Sequence, residues 1–166
     1  MERHAETHPL PPIYAENARV LVLGSFPSPK SRAEAFFYAH PQNRFWRVLA
    51  AIFGEAVPRT LEEKKELLYR NRVALWDTVG SCEVAGASDA SITNVVANDL
   101  RPILEAADIR AIFCNGTASQ RWYDRLLREE LGRDAILLPS TSPANAAWSL
   151  ERLIETWGEQ ILPYME

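Results

Sequence analysis

Cysteine is scarce in this chain: Cys82 and Cys114 are the only two among 166 residues. Two isolated thiols make no disulfide framework, and no CxxC or paired-histidine spacing marks a metal site. No metal and no cofactor are therefore expected. Histidine is nearly as rare, and two of the three, His4 and His8, fall in the proline-bearing residues 1–17, which read as a flexible leader. No apolar run approaches the length of a membrane span. The opening "MERHAETHPLPP" lacks the apolar stretch of a secretory signal. A cytoplasmic protein with no membrane partner is the expectation. The familiar catalytic fingerprints GxSxG, GxGxxG and the P-loop are absent as well. The length suits one domain over 1–166, expected to act as a monomer.

Aromatics and local positive charge are what the chain has in plenty. "FFYAHPQNRFW", residues 36–46, holds five aromatic rings in eleven positions. The whole chain carries a net charge of −4, yet residues 18–52 carry Arg19, Lys30, Arg32, Arg44 and Arg47 against Glu34 alone. A local basic face of this kind can engage a phosphate backbone, although a merely solvated face reads the same way.

Hydrophobic patterning predicts an α/β chain. "ARVLVLGSFP" (18–27) is a continuous apolar run stopped by Gly and Pro, as in a buried parallel strand. "VALWD" (73–77), "RAIFCN" (110–115) and "DAILLPS" (134–140) read as three more strands. Helices are expected at 43–54, 60–71, 99–107 and 117–131, and a last one from Ser142 as N-cap and Pro143 as first residue. "ASDASITNVVAND" (87–99) reads as loop. Strands alternating with helices imply a three-layer α/β/α sandwich around a mostly parallel four-stranded sheet.

Ligands of open α/β sheets bind outside the carboxyl ends of the strands. The groups following each strand are Gly24, Ser25, Phe26, Pro27 and Ser28; then Asp77; then Asn115 and Gly116; then Pro139, Ser140, Thr141 and Ser142. His40 is the one histidine near this rim and Asp77 the one carboxylate at a strand end. Aromatic faces suit a flat heterocycle, and small polar residues before a helix suit phosphate oxygens. Together they point to a stacked nucleobase with its phosphates held nearby.

"GSFPSPKSR", "FYAHPQNRFWRVL" and "LPSTSPAN" resemble motifs of the uracil-DNA glycosylase superfamily, and of its hypoxanthine-DNA glycosylase branch in particular. The second stretch is also similar to mismatch-specific uracil glycosylases. The resemblance spans about residues 19–145. It implies that Gly24, Ser25 and Phe26 lie against the base, with Phe26 standing where other branches place a water-activating Asp or Asn. It implies that Tyr38 stacks on a flipped base and that Asn43 is the catalytic amide. It places Asp77 at the base edge, and Ser28, Ser140, Thr141, Ser142 and Asn145 at DNA phosphates or in the wedge that opens the helix. Leu138 stands where some branches carry a second polar catalyst.

Each residue also has a plainer reading. Asn43 could cap the helix beginning beside it, Ser142 likewise, Tyr38 could be core, and His40 a turn residue. Lys30 and Arg44 could touch phosphate or solvent. The carboxylate of Asp77 suits hypoxanthine, whose N1–H it could accept, and repels the N1 lone pair of adenine. The activity implied is removal of hypoxanthine from DNA containing deaminated bases, by water, leaving an abasic site with no Schiff base. Its rivals are a mismatch uracil or ethenocytosine glycosylase, a non-catalytic reader of damaged DNA, and a nucleotide hydrolase.

Overall fold

The computed structural model describes residues 4–84 and 93–165. Residues 87–92 of the expected loop and the side chain of Lys30 lie outside what is described. The elements in chain order are β1 (His4–Thr7), β2 (Val20–Gly24), α1 (Pro29–Glu34), α2 (Phe45–Ile52), α3 (Leu61–Arg70), β3 (Val73–Asp77), β4 (Val79–Val84), β5 (Thr93–Ala97), α4 (Arg101–Ala106), β6 (Ala111–Asn115), α5 (Thr117–Leu126), α6 (Arg128–Leu131), β7 (Ile136–Leu138) and α7 (Leu150–Ile161).

The four expected strands form one parallel sheet in the order β3-β2-β6-β7. The apolar run of β2 sits at its centre, buried at every residue. Side chains alternate across a strand, so Val20 and Val22 enter one core with Leu49, Leu67 and Trp157, while Leu21 and Leu23 enter a second with Ile103 and Tyr123. Helices α2, α3 and α7 cover the first face; α4 and α5 cover the other. This is the expected α/β/α sandwich. Parallel register sets Gly24 directly opposite Asp77 at the carboxyl ends of β2 and β3.

A second sheet has no counterpart in the sequence reading. After Asp77 the chain leaves the parallel sheet and continues as β4, which pairs antiparallel with β1 and β5. The Nδ2 of Asn98 donates to the carbonyls of Asp77 at 2.9 Å and Val79 at 3.2 Å, clamping that departure. Two expectations are corrected here. Residues 93–97, read as loop, are a strand, and the leader is structured: Leu10 and Ile13 are buried, and Ile13 exchanges two backbone hydrogen bonds with Leu75. Short, half-polar strands such as "HAET" carry no continuous apolar run, so neither strand announced itself.

Two helix boundaries also move. The expected helix at 117–131 breaks at Leu127, which separates α5 from α6. The last helix starts at Leu150 with Ser149 as its side-chain cap, and residues 142–149 are a looped segment. Arg44 explains the loop. Its guanidinium donates to the carbonyls of Ser142 at 2.8 Å and Asn145 at 3.1 Å, and also to the carbonyl of Trp148. A helix would need those carbonyls for its own ladder. Among the described residues no helix is long and apolar enough to cross a membrane.

Candidate active site

A cavity of about 470 Å³ opens at the carboxyl rim of the parallel sheet, within the usual size of a small-molecule site. It brings together Gly24, Ser25, Phe26, Ser28, Tyr38, Asn43, Asp77, Ser140, Thr141 and Ser142. Asn145 is not among its lining residues. It faces a second hollow of about 560 Å³ beyond the 140–145 loop, with Leu137 and Trp148.

Asn43 forms one wall. Its Oδ1 accepts from the backbone N–H of Phe45 at 2.9 Å and from the hydroxyl of Thr141 at 2.9 Å. A backbone N–H can only donate, so these bonds identify the inward atom as oxygen. The amide nitrogen is the half that remains for the cavity. Asn43 thus accepts from the first N–H of α2, whose N-cap is Arg44, and its side chain lines the cavity as well. Thr141 in turn is gripped by Asn115, whose Oδ1 accepts from the Thr141 backbone N–H and whose Nδ2 donates to its hydroxyl, both at 3.0 Å. Thr141 is completely buried, which corrects its expected role as a phosphate ligand. It anchors Asn43 from behind. Arg44 is likewise neither a free phosphate contact nor a solvated charge, being wrapped by the 141–148 loop.

Asp77 also lines the cavity and is 3% exposed. Its Oδ2 lies 2.8 Å from Nε2 of His8, a residue of the supposed leader. The other imidazole nitrogen accepts from the backbone N–H of Leu10 at 3.2 Å, so Nε2 carries the hydrogen and donates it to the carboxylate. His8 is therefore a buried part of the site's support rather than a flexible leader residue. Its ring sits among Phe26, Trp76 and Phe37, with centroids 5.7, 6.0 and 6.1 Å away.

Gly24 packs against the carboxylate of Asp77. A Cβ there would stand 2.3 Å from Oδ1 of Asp77 and 2.8 Å from the hydroxyl of Tyr38, so no larger residue fits. Tyr38 has φ 52°, in the left-handed region that bulky residues rarely enter. Its ring stacks on Phe45 at 4.1 Å and 16° and lines the cavity. Phe36 and Trp46 stack on each other at 5.9 Å beneath the ammonium of Lys64. Four of the five rings of the cluster, Phe36, Phe37, Phe45 and Trp46, are buried in the core. Burial lowers the pKa of Lys64 and, more strongly, pushes the Cys114 thiol up to about 12, which makes that cysteine inert.

The serines serve as turn acceptors. Ser28 caps α1 by accepting from the Ser31 N–H, Ser140 accepts from the Ser142 N–H, and Ser142 from the Ala144 N–H. The hydroxyls of Ser140 and Ser142 still have their own hydrogens to donate, whereas that of Ser28 goes to the Ser31 oxygen at 3.2 Å. Asn145 spends its Nδ2 on the Ser140 carbonyl at 3.0 Å, bracing the loop. His40 is exposed and accepts from the Gln42 N–H, as a turn residue does. Sequence reasoning missed His8 altogether, and it named Asn115 at a strand end without giving it a role. The first had no signal beyond a lone histidine among prolines.

Comparison with known proteins agrees with this geometry. The family model described as "Uracil DNA glycosylase superfamily" matches residues 11–160. A Methanosarcina acetivorans protein named hypoxanthine DNA glycosylase is 33% identical over 143 residues, covering 86% of this chain and 90% of its own. A Methanosarcina barkeri protein of the same name is 32% identical over 151 residues, covering 90% and 94%. The solution NMR structure of a Methanosarcina acetivorans protein, described as a candidate uracil DNA glycosylase, superposes with a TM-score of 0.81 at 30% identity, covering 98% of this chain and 99% of that one. With a family match across most of its length and relatives this similar, the chain belongs to the uracil DNA glycosylase superfamily.

Proposed function

We propose that this protein is a monofunctional DNA glycosylase that releases hypoxanthine, the deamination product of adenine, and leaves an abasic site. The single observation that carries the reading is one cavity lined by both a carboxylate, Asp77, and a carboxamide, Asn43, with Gly24 packed against the carboxylate. Two relatives named hypoxanthine DNA glycosylase, 33% and 32% identical, support it.

The target nucleotide leaves the duplex and enters the cavity, with the ring of Tyr38 against the base. Base–aromatic stacking contributes about 1–3 kcal/mol. The Oδ1 of Asp77 accepts the N1–H of hypoxanthine. The same oxygen repels the lone pair at N1 of adenine, so the undamaged base is turned away. As the C1′–N9 bond lengthens, its electron pair moves onto the purine and positive charge builds on the sugar. Asn43, whose oxygen is already engaged, donates from Nδ2 to the departing purine where negative charge accumulates. Water then adds to C1′ and loses a proton. An amide is no strong base, so positioning and charge stabilisation supply most of the acceleration.

Ser140 and Ser142 donate to phosphates on either side of the flipped nucleotide, Ser28 contributes from the first turn, and the loop through Asn145 keeps the gap in the duplex open. Every residue in this scheme comes from one chain, so a monomer suffices. A cytoplasmic setting, where chromosomal DNA is reached directly, completes the reading. The test is a panel of labelled duplexes, each with one lesion, treated with alkali afterwards. Deoxyinosine should yield an alkali-labile strand with no break before alkali. A stronger response to uracil or ethenocytosine would transfer the protein to the mismatch branch, and binding without base release would make it a damage reader.

A further inference from the structure

We infer that His8 determines specificity by acting through Asp77: its N–H occupies Oδ2 and turns the carboxyl group so that the acceptor oxygen Oδ1 meets the base. The inference rests on the hypoxanthine reading above and assigns the residue that makes its selectivity work.

Four observations converge. Asp77 is almost wholly buried, and its Oδ2 has one side-chain partner, His8, at 2.8 Å. The imidazole is itself inaccessible, 2% exposed against 5% for the Asp77 side chain. The tautomer is set locally, because the Leu10 N–H occupies the other ring nitrogen. Finally, the ring cannot swing away, being boxed in by Phe26, Phe37 and Trp76.

The chemistry gives this arrangement a purpose. A carboxyl group beside a purine has two faces to offer. Ionised, it accepts, which matches the N1–H of hypoxanthine. Protonated, it donates, which matches the N1 lone pair of adenine. The His8 N–H takes up Oδ2 of Asp77, so Oδ1 is the oxygen left to meet the base as an acceptor. The same N–H fixes the plane of the carboxylate and directs Oδ1 toward Gly24, where a Cβ would come within 2.3 Å of it. His8 lies outside residues 11–160, the span matched by the family model.

The test compares single-turnover base release from duplexes carrying one deoxyinosine or one deoxynebularine, whose ring N1 has a lone pair as adenine's does. His8→Phe keeps an aromatic ring in the box and removes the donor. It should reduce the preference for hypoxanthine about tenfold, the scale of one hydrogen bond to a charged group. His8→Gln, which returns an amide N–H near the Nε2 position, should restore the preference. In an Asp77→Ala background, His8→Phe should change the preference no further. An unchanged preference in folded His8→Phe, or an equal loss with and without the Asp77 carboxylate, would overturn the inference. If His8→Phe does not fold, His8→Gln decides alone, and lost preference in that variant sinks the idea. Wild-type protein that releases no hypoxanthine would remove the functional reading itself, a distinguishable result.

Discussion

Asn43 and Asp77 face the same cavity, yet the support behind them differs. Behind Asn43 stands a connected net: a helix N–H and the Thr141 hydroxyl on its oxygen, Asn115 on Thr141, and Arg44 pinning the loop that carries Thr141. Behind Asp77 stands one imidazole in a box of aromatic rings, delivered by the first strand region of the chain. A net shares load, so removing one member should weaken it by degrees. A lone donor fails outright, and it fails in what the site chooses rather than in how fast it works. On the proposed function, Asn43 governs the rate and Asp77 the selectivity.

Substitutions can break or sharpen this division. The largest effect is expected at Asn43 itself. Asn43→Ala removes the donor that meets the departing purine and should slow hypoxanthine release by about 10²–10³-fold, as loss of one preorganised transition-state donor does. Single-turnover release of free base measures it, and wild-type rates would remove Asn43 from the chemistry. Asp77→Asn comes next. An amide can turn either edge to the base, so the preference for hypoxanthine over adenine should fall by about tenfold or more while release of hypoxanthine falls less. The smallest effect is expected at Thr141→Val, which keeps the shape and deletes one of the two donors on Asn43. The remaining Phe45 N–H holds the amide, and the rate should drop only about three- to tenfold, with selectivity intact. A change of selectivity in Thr141→Val would mean that Asn43 and Asp77 are coupled.

Gly24→Ala should damage both functions together, because its Cβ would collide with Asp77 and Tyr38 at once. Such overpacking costs about 1–3 kcal/mol of stability, readable as a lower denaturant midpoint.

Much of this architecture is legible in the residues. The parallel sheet follows from continuous apolar runs such as "VLVLG", and the rim follows from the rule that ligands gather at strand ends. Gly24, Asp77 and Ser140 could be placed together on that basis, and Asn43 joins them through the family resemblance of "FYAHPQNRFWRVL". The second sheet could not, because its strands are short and half-polar and form only when Asp77 ends the parallel pairing. The loop at 142–149 misled for a related reason. "SP" is a sound helix start in isolation, but Arg44, nearly a hundred residues earlier, takes the carbonyls that the helix would have used. His8 was hidden because its meaning lies in a partner 69 positions away. Local pattern reveals elements, whereas side-chain partnerships across the fold decide which polar residues are free to act.

The most direct measurement is a crystal structure of the protein on a duplex carrying one 2′-fluoro-deoxyinosine, whose glycosidic bond resists hydrolysis. The account predicts the hypoxanthine ring turned out of the helix and seated on Tyr38, with N1 at hydrogen-bond distance from Oδ1 of Asp77 and the Asn43 nitrogen at the purine edge. A base that stays stacked in the duplex, or enters the cavity with N1 turned away from Asp77, would contradict it.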